Sequence, residues 1–428
     1  MASEHSNTVK HRRVFYIPGY DPIHPRRYRE LYRMESAVQG DISDYRMGLS
    51  PREGERYGWN VEAEIEGADV RAEVEVLVWS DIVRTSLSTS IPATYWQLAR
   101  TSWIYIASGA LRRLMWLRKG PVIAALYPVG MLLAQLIGAL LVAYLASTIL
   151  TQALSWSVEQ VHRLLSLQFD PAASVWSLVM RAIYWATFLV VLTLVLRWFK
   201  ARDNKLYAYY LMHDYAFSAK AKGAYPPELR ARMAEFGDVI AAALREDVDE
   251  VLVVGHSSGA HLAVSVLADL VRAGCVPANG PALSFLSLGQ VVPMLSFLPM
   301  ADQLRADLNY LSQRDEVTWV DVTAPGDGCA FALCDPVAVS GVAPENQKGP
   351  LVISAAFTQT LSPERWKALR WRFFRLHFQY LCAFDRPGDY DYFKITAGPL
   401  TLGERYAGRK ASLNRIDVAA SCHTSMAA

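Results

Sequence analysis

The most informative absence in this 428-residue chain is local: from Gly120 to Val158 there is no Asp, Glu, Lys or Arg. Over the whole chain charged residues make up 20%, against about 25% in an ordinary soluble domain. A shortage of charge concentrated in one stretch points towards membrane contact. The formal net charge is only +2, which gives no basis for nucleic-acid binding, so basic residues count by position. Cysteine is scarce as well. Cys275, Cys329, Cys334, Cys382 and Cys422 are odd in number and lack metal-ligand spacing, so neither a zinc site nor a disulfide framework is expected. No glycine-rich phosphate loop occurs, and His213-Asp214 and the Cys329/Cys334 pair have no matching cluster, so neither cofactor nor metal is expected. The start, Met1–Arg13, is polar without an apolar segment, and no cleavable secretory signal is expected.

What is present begins with two apolar runs. VGMLLAQLIGALLVAYLASTIL, 129–150, is long enough to cross a hydrocarbon core of about 30 Å as a helix, and Pro128 suits its first turn. A second run, 173–196, carries Arg181 near one end, where its side chain can reach the interface. Trp176, Tyr184, Trp185 and Trp198 are candidate interfacial anchors. The competing reading is a pair of buried core helices. Arg112, Arg113, Arg118 and Lys119 precede the first run, and Arg197, Lys200, Arg202 and Lys205 follow the second. The connecting loop, about 151–172, has one Arg and no Lys. That asymmetry predicts an integral membrane protein with both termini and the soluble part cytoplasmic. The five cysteines all fall in that soluble part, where reduced thiols are expected.

The chemistry-bearing motif lies in EVLVVGHSSGAHLAVSVLADLV, 250–271. Val251–Val254 reads as a strand buried on both faces, and Ala260 to Leu270 repeats apolar residues at helical spacing. Between them Gly255-His256-Ser257-Ser258-Gly259 fits G-x-S-x-G. Glycine two positions either side of Ser257 relieves the crowding of a sharp strand-to-helix turn. Ser257 then sits at the amino end of a helix, where amides and the helix dipole favour developing negative charge. The plain alternative is a serine in a structural turn.

Further strands are expected at Val14–Ile17, Glu73–Trp79, Leu283–Leu288, Val317–Val322 and Leu351–Phe357. Helices are expected at Arg26–Ala37, Pro227–Leu244, Ala260–Ala273 and Pro363–Leu381. Alternation of the two kinds predicts an α/β fold with a mostly parallel, doubly wound sheet, whose ligands bind at the carboxyl ends of strands. The organisation expected is a first part over 1–80, an insertion over 81–225 holding both apolar helices, a second part over 226–409, and a disordered tail over 410–428.

On the GHSSG elbow, the strand order around it and the sequence order Ser…Asp…His, the chain resembles the α/β-hydrolase superfamily of serine esterases and lipases. The resemblance covers about 14–80 and 226–400 and leaves out the membrane hairpin. It implies a triad whose acid follows a late strand. Asp327, between glycines beyond the strand 317–322, is the first candidate; Asp335, before a proline, is the alternative. Asp321 lies within the strand and reads as structural. The base is expected after the last strand, where His377 and His423 remain; His423 lies in the tail, which leaves His377, in WRFFRLHFQYL, 371–381, or else a packed histidine on an amphipathic helix. His256 and His261 are lesser alternatives for the base: His256 is usually structural in such an elbow, and His261, one turn after Ser257, points along the helix flank. The implied oxyanion hole combines the amide of Ser258 with one from the loop YIPGYDP, 16–22, where Gly19 permits close approach and Tyr20 is the donor. The HGGG form of that loop is absent, and a plain turn is the alternative.

The function expected is thus a membrane-anchored serine hydrolase, with the bilayer as partner and an acyl ester or lipid as substrate. The amphipathic stretch 103–119 is a candidate lid lying on the leaflet. A non-catalytic membrane scaffold and an acyltransferase using the same residues are the competing readings.

Overall fold

The computed structural model describes residues 8–20, 24–54, 56–86, 90–165 and 174–427. Among them are eight strands: β1 (His11–Ile17), β2 (Arg46–Pro51), β3 (Gly58–Ile65), β4 (Ala68–Val76), β5 (Glu250–His256), β6 (Ala282–Leu288), β7 (Thr318–Thr323) and β8 (Leu351–Ser354). They form one sheet in the order β2-β3-β4-β1-β5-β6-β7-β8. From β4 through β1 and β5 to β8 neighbours run parallel, whereas β2–β3 and β3–β4 are antiparallel. The sheet is therefore mixed, and the expected mostly parallel, doubly wound sheet is corrected at this edge. The reason is local. Trp59, Val61, Ala63 and Ile65 alternate inward along β3, and Glu66 and Gly67, with φ of 54° and 77°, close a tight hairpin into β4.

Helices cover both faces. Val14, Tyr16, Leu252, Val254, Leu286 and Leu288 share one core with Tyr28 and Tyr32 of the helix Arg26–Ser43 and with Tyr392 and Phe393. The helix Ser258–Arg272 packs on β5 and β1, and also against the helices Pro227–Ala243 and Asp302–Leu311. β1 begins at His11, earlier than its apolar run, because Arg12 is buried in an ion pair of 2.5 Å with Glu250 of β5.

Three expectations about the last third change. The helix expected over Pro363–Leu381 is broken into Pro363–Leu369, Phe373–His377 and a 3₁₀ turn at Gln379–Leu381. The first piece has no buried residue, whereas Leu376, Tyr380 and Leu381 enter the core, so the chain must turn between them. Strand β8 ends at Ser354, short of Phe357. Residues 410–427, expected as a disordered tail, pack on the sheet side of the fold: Ser412 donates to the Val352 carbonyl (2.9 Å), Ile416 bridges to Cys334, and Ala420 is buried.

The chain divides into two compact units, residues 1–87, 101–124 and 217–428 in one, residues 88–100 and 125–216 in the other. The first holds the sheet, so the expected insertion over 81–225 is divided between the two. The second is built around the helices Lys119–Leu164, of 46 residues, and Ser174–Ala201, of 28. Both are long and apolar enough to cross a membrane, with mean hydropathies of 2.2 and 2.0 over their most apolar windows. No residue of the second window is buried, which goes against a core helix of a soluble protein. The first helix continues to Leu164 rather than ending at 150, which shortens the expected loop of 151–172; residues 166–173 lie outside the described ones.

Candidate active site

The sheet register brings four loops to one edge. Ile17 faces Gly255, His256 faces Leu288, and Leu288 faces Val322, so the chain leaving β1, β5, β6 and β7 emerges side by side at their carboxyl ends. Gly19, Tyr20, Ser257, Ser258, Asp327 and His377 stand on or beside these loops, and Asp335 lies at the far end of the one leaving β7.

Ser257 occupies the turn between β5 and the helix Ser258–Arg272, with φ 57° and ψ −121°. A non-glycine residue in that conformation costs about 1–3 kcal/mol, and the surroundings must impose it. They do so by close packing. A Cβ on Gly259 would lie 2.0 Å from the Ile17 carbonyl oxygen, so only glycine lets the helix start against β1. The Ser257 N–H donates to the Leu288 carbonyl (2.9 Å), which pins the turn to the end of β6. Ser257 is half-buried in a neighbourhood otherwise closed to solvent.

His377 ends the short helix Phe373–His377 and is brought against the elbow. The rings of His256 and His377 are 4.9 Å apart, and a Cβ on Gly289 would stand 3.0 Å from Cε1 of His377. Its Nδ1 lies 2.7 Å from Oδ2 of Asp327. An ionised carboxylate can only accept, so in the neutral ring the Nδ1 proton faces it and Nε2 carries the lone pair. Asp327 takes two more hydrogen bonds, from the Cys329 N–H to Oδ1 (2.8 Å) and from the Tyr380 hydroxyl to Oδ2 (3.0 Å). Tyr380 in turn accepts from the Ala324 N–H (3.0 Å). Among the described residues no hydrogen bond joins Ser257 Oγ to His377.

The other candidates separate clearly. Asp335 caps a four-residue helix, accepting from the Val337 and Ala338 amides (3.0 and 3.2 Å) and from Gln347 (2.9 Å). Among the described residues it hydrogen-bonds no histidine, whereas His377 pairs with Asp327. Asp321, on β7, accepts from Ser287 (2.6 Å), and burial pushes its carboxyl up to about 8. His256 holds the His377 carbonyl through Nε2 (3.1 Å) and Tyr16 through Nδ1 (3.3 Å); burial and the neighbouring His377 pull it down to about 3. His261 stacks on Tyr225 and is likewise driven to about 3 by burial. His423, far along the tail, contacts the Ser108 carbonyl (3.0 Å).

The loop after β1 passes directly over the serine. A Cβ on Gly19 would be 2.9 Å from Ser257 Cβ and 3.3 Å from its Oγ, so this position accepts no side chain. The Tyr20 side chain turns away, packing edge-on to Trp79 and donating to or accepting from Ser86 (2.9 Å). Trp79 donates to the Pro18 carbonyl (2.9 Å) and so holds the loop's backbone in place. Ser258 begins the elbow helix. Asp21 and Pro22 lie outside the described residues.

Sγ of Cys329 gathers with the Asp327 and His377 ligand atoms within 4.8 Å, a spacing that a metal ion could use. The donor set fits a metal poorly. The Asp327–His377 pair is already closed by its hydrogen bond, and burial beside the Asp327 charge raises the Cys329 thiol well above its ordinary value, away from the thiolate a metal needs.

Tyr380 and Trp79 were not among the residues singled out from sequence. Tyr380 follows His377 by three positions, the spacing at which side chains on one turn meet; Trp79 carries no such signal. Compared with protein-family models, with curated proteins and with solved structures, the chain finds no match.

Proposed function

We propose that this chain is a membrane-anchored serine hydrolase of α/β-hydrolase type that cleaves acyl esters. The observation that carries the reading is the 2.7 Å pairing of His377 with Asp327 beside a serine held at φ 57°. Strain and pre-ordered hydrogen bonds together are what a nucleophile, its base and the base's orienting acid require.

In this reading Ser257 Oγ attacks the acyl carbonyl carbon while its proton passes to Nε2 of His377. The carbonyl electron pair moves onto oxygen, where the amides of Ser258 and Tyr20 receive it. Collapse of the intermediate expels the alkoxide, which takes the proton from His377 and leaves Ser257 acylated. Water repeats both steps and releases the carboxylic acid. Asp327 keeps the imidazole in the useful tautomer throughout, and Tyr380 and the Cys329 amide keep Asp327 in position. A hairpin anchor in the same chain keeps the enzyme at a membrane, which favours a lipid or other long-chain acyl ester as substrate. Both soluble segments that flank the hairpin join one sheet, so they share a side, and the basic flanks favour the cytoplasmic one.

One observation favours the competing scaffold reading: Ser257 and His377 are not hydrogen-bonded. Such contacts often tighten only with substrate bound. Fluorophosphonate labelling of the membrane fraction separates the two. The hydrolase reading expects labelling in the wild type and its loss in both Ser257→Ala and His377→Ala. A folded wild type that takes no label supports the scaffold.

A further inference from the structure

The turn between the helices Pro363–Leu369 and Phe373–His377 is used by nothing above. From Arg365 to Phe384 the sequence has no Asp or Glu. Arg365 is taken up by Glu35 and Asp385, but Lys367, Arg370, Arg372 and Arg375 are exposed and have no carboxylate partner among the described residues. Between these cations, Trp371 is 73% exposed and Phe373 42%. The two rings meet edge-on at 6.5 Å, and Arg370 lies over Trp371.

Water is a poor environment for this ridge. It leaves two aromatic faces hydrated and four like charges unneutralised within nine residues. A headgroup layer with negative charge suits both: aromatic rings settle at its apolar boundary, and guanidinium groups pair with phosphate. The ridge also has a fixed place relative to the chain that leads into the first long helix. Phe373 Cδ1 would be 3.1 Å from a Cβ on Gly328, and a Cβ on Gly120 would be 3.7 Å from the Gly328 carbonyl oxygen. Gly120 is the second residue of the helix Lys119–Leu164. The ridge and the foot of the membrane helix therefore touch the same glycine. On the stretch leading into that foot, the helix Ala110–Leu117 exposes Arg112, Arg113 and Trp116.

We propose that Lys367–Arg375 is a membrane-docking ridge that binds the anionic headgroups of the bilayer the hairpin enters. Trp371 and Phe373 sit at headgroup depth, and Arg370, Arg372 and Arg375 hold lipid phosphates. The inference rests on the membrane part of the function proposed above and not on its chemistry. Because Phe373 and His377 belong to one five-residue helix, docking also fixes the element that carries His377 against the lipid surface.

The test is hydrogen exchange of the segment 367–375 in the full chain, reconstituted in nanodiscs of phosphatidylcholine with and without phosphatidylserine. Exchange is expected to slow by about tenfold or more in the anionic discs at low ionic strength. High salt, or the triple variant Arg370→Glu, Arg372→Glu, Arg375→Glu, is expected to restore the faster rate. Trp371→Phe gives an independent reading: relative to wild type it is expected to lower the share of tryptophan fluorescence that brominated phosphatidylserine quenches, above the background from the hairpin's own tryptophans. Equal exchange in both discs, in a chain that is incorporated in both, overturns the docking and leaves the hairpin standing. Slowing that survives salt and charge reversal overturns it too, since another contact then covers the ridge. A chain that enters neither disc overturns the hairpin, and the docking with it.

Discussion

Nε2 of His256 stands 3.1 Å from the carbonyl oxygen of His377, so the residue preceding Ser257 grips the backbone of the residue facing it. The His256 ring is buried and neutral, with its proton on Nε2 and its Nδ1 open to the Tyr16 hydroxyl at 3.3 Å. The turn at Ser257 and the backbone of His377 are thereby coupled by one side chain. His256→Phe keeps the bulk but leaves the His377 carbonyl buried without a partner, a loss of about 1–3 kcal/mol in stability. The base would also shift, and a misplacement of about 1 Å costs on the order of a hundredfold in rate. Fluorophosphonate labelling rates and thermal unfolding of the same preparation check both. A variant that labels at the wild-type rate removes His256 from the positioning role.

Asp327 and Asp335 differ in what they hold, and so in what replacing them should do. Asp327→Asn keeps the shape but offers Nδ1 of His377 an N–H, forcing the wrong tautomer; the expected loss in turnover is about 10⁴-fold with little change in stability. Asp335→Ala removes a cap that receives two amide N–H groups, at about 1 kcal/mol, with labelling retained in whatever remains folded. The reverse pattern would transfer the acid's role to Asp335.

Tyr380 links Asp327 to the end of β7 through the Ala324 amide. Tyr380→Phe deletes both bonds while keeping the ring that packs 4.9 Å from Phe357. It is expected to reduce labelling by about tenfold and stability by about 1–3 kcal/mol, because the Ala324 N–H is left buried and unpaired. Unchanged labelling with reduced stability would make Tyr380 a core residue only.

The elbow was legible from sequence because its chemistry is local. Two glycines, a β-branched strand and an apolar helix specify the turn within twenty-odd residues. The Asp327–His377 contact is fifty residues apart and depends on the break at Arg372, which periodicity hid: WRFFRLH has apolar spacing that suits a continuous helix. β3 carried the two-residue alternation of a half-buried strand, Trp59, Val61, Ala63 and Ile65 interleaved with Glu62 and Glu64, and was legible in the sequence though not among the strands expected. The start of β1 was masked for the opposite reason. Arg12 looks like a surface residue until Glu250, 238 positions away, neutralises it in the core.

Asp321 makes stability depend on pH in a direction opposite to ordinary salt-bridged carboxylates. Burial raises its folded-state value to about 8 from 3.8. Between those limits the unfolded chain is ionised and the folded one is not, so the unfolded state binds fewer protons and stability falls as pH rises. Asp321→Asn can still accept from Ser287 and stays neutral throughout. Relative to wild type it is expected to gain on the order of a few kcal/mol between about pH 5 and pH 8. Unfolding midpoints across that range check it, and parallel curves would put an ionised Asp321 in the fold.

The hairpin gives the remaining prediction. β4 precedes it and β5 follows it, yet β1 pairs with both, so the two ends of the hairpin must lie on one side of any membrane it crosses. Arg112, Arg113, Arg118 and Lys119 at the start of the first span, and Arg197, Lys200, Arg202 and Lys205 at the end of the second, against Arg163 alone near the far ends, predict the cytoplasm for those ends. A tag placed within 166–173 is therefore expected on the opposite side from tags at either terminus, and alkaline carbonate is expected to leave the chain in the membrane pellet. Leu189, 58% exposed in the middle of the second helix, supplies the energetic check. Leu189→Arg places a charge at mid-bilayer, at a cost of about 3 kcal/mol in insertion, or roughly a hundredfold in the integrated fraction. If the substitution leaves integration unchanged and all three tags report the same side, the helix does not span, and the soluble fold must cover its apolar surface by some other means.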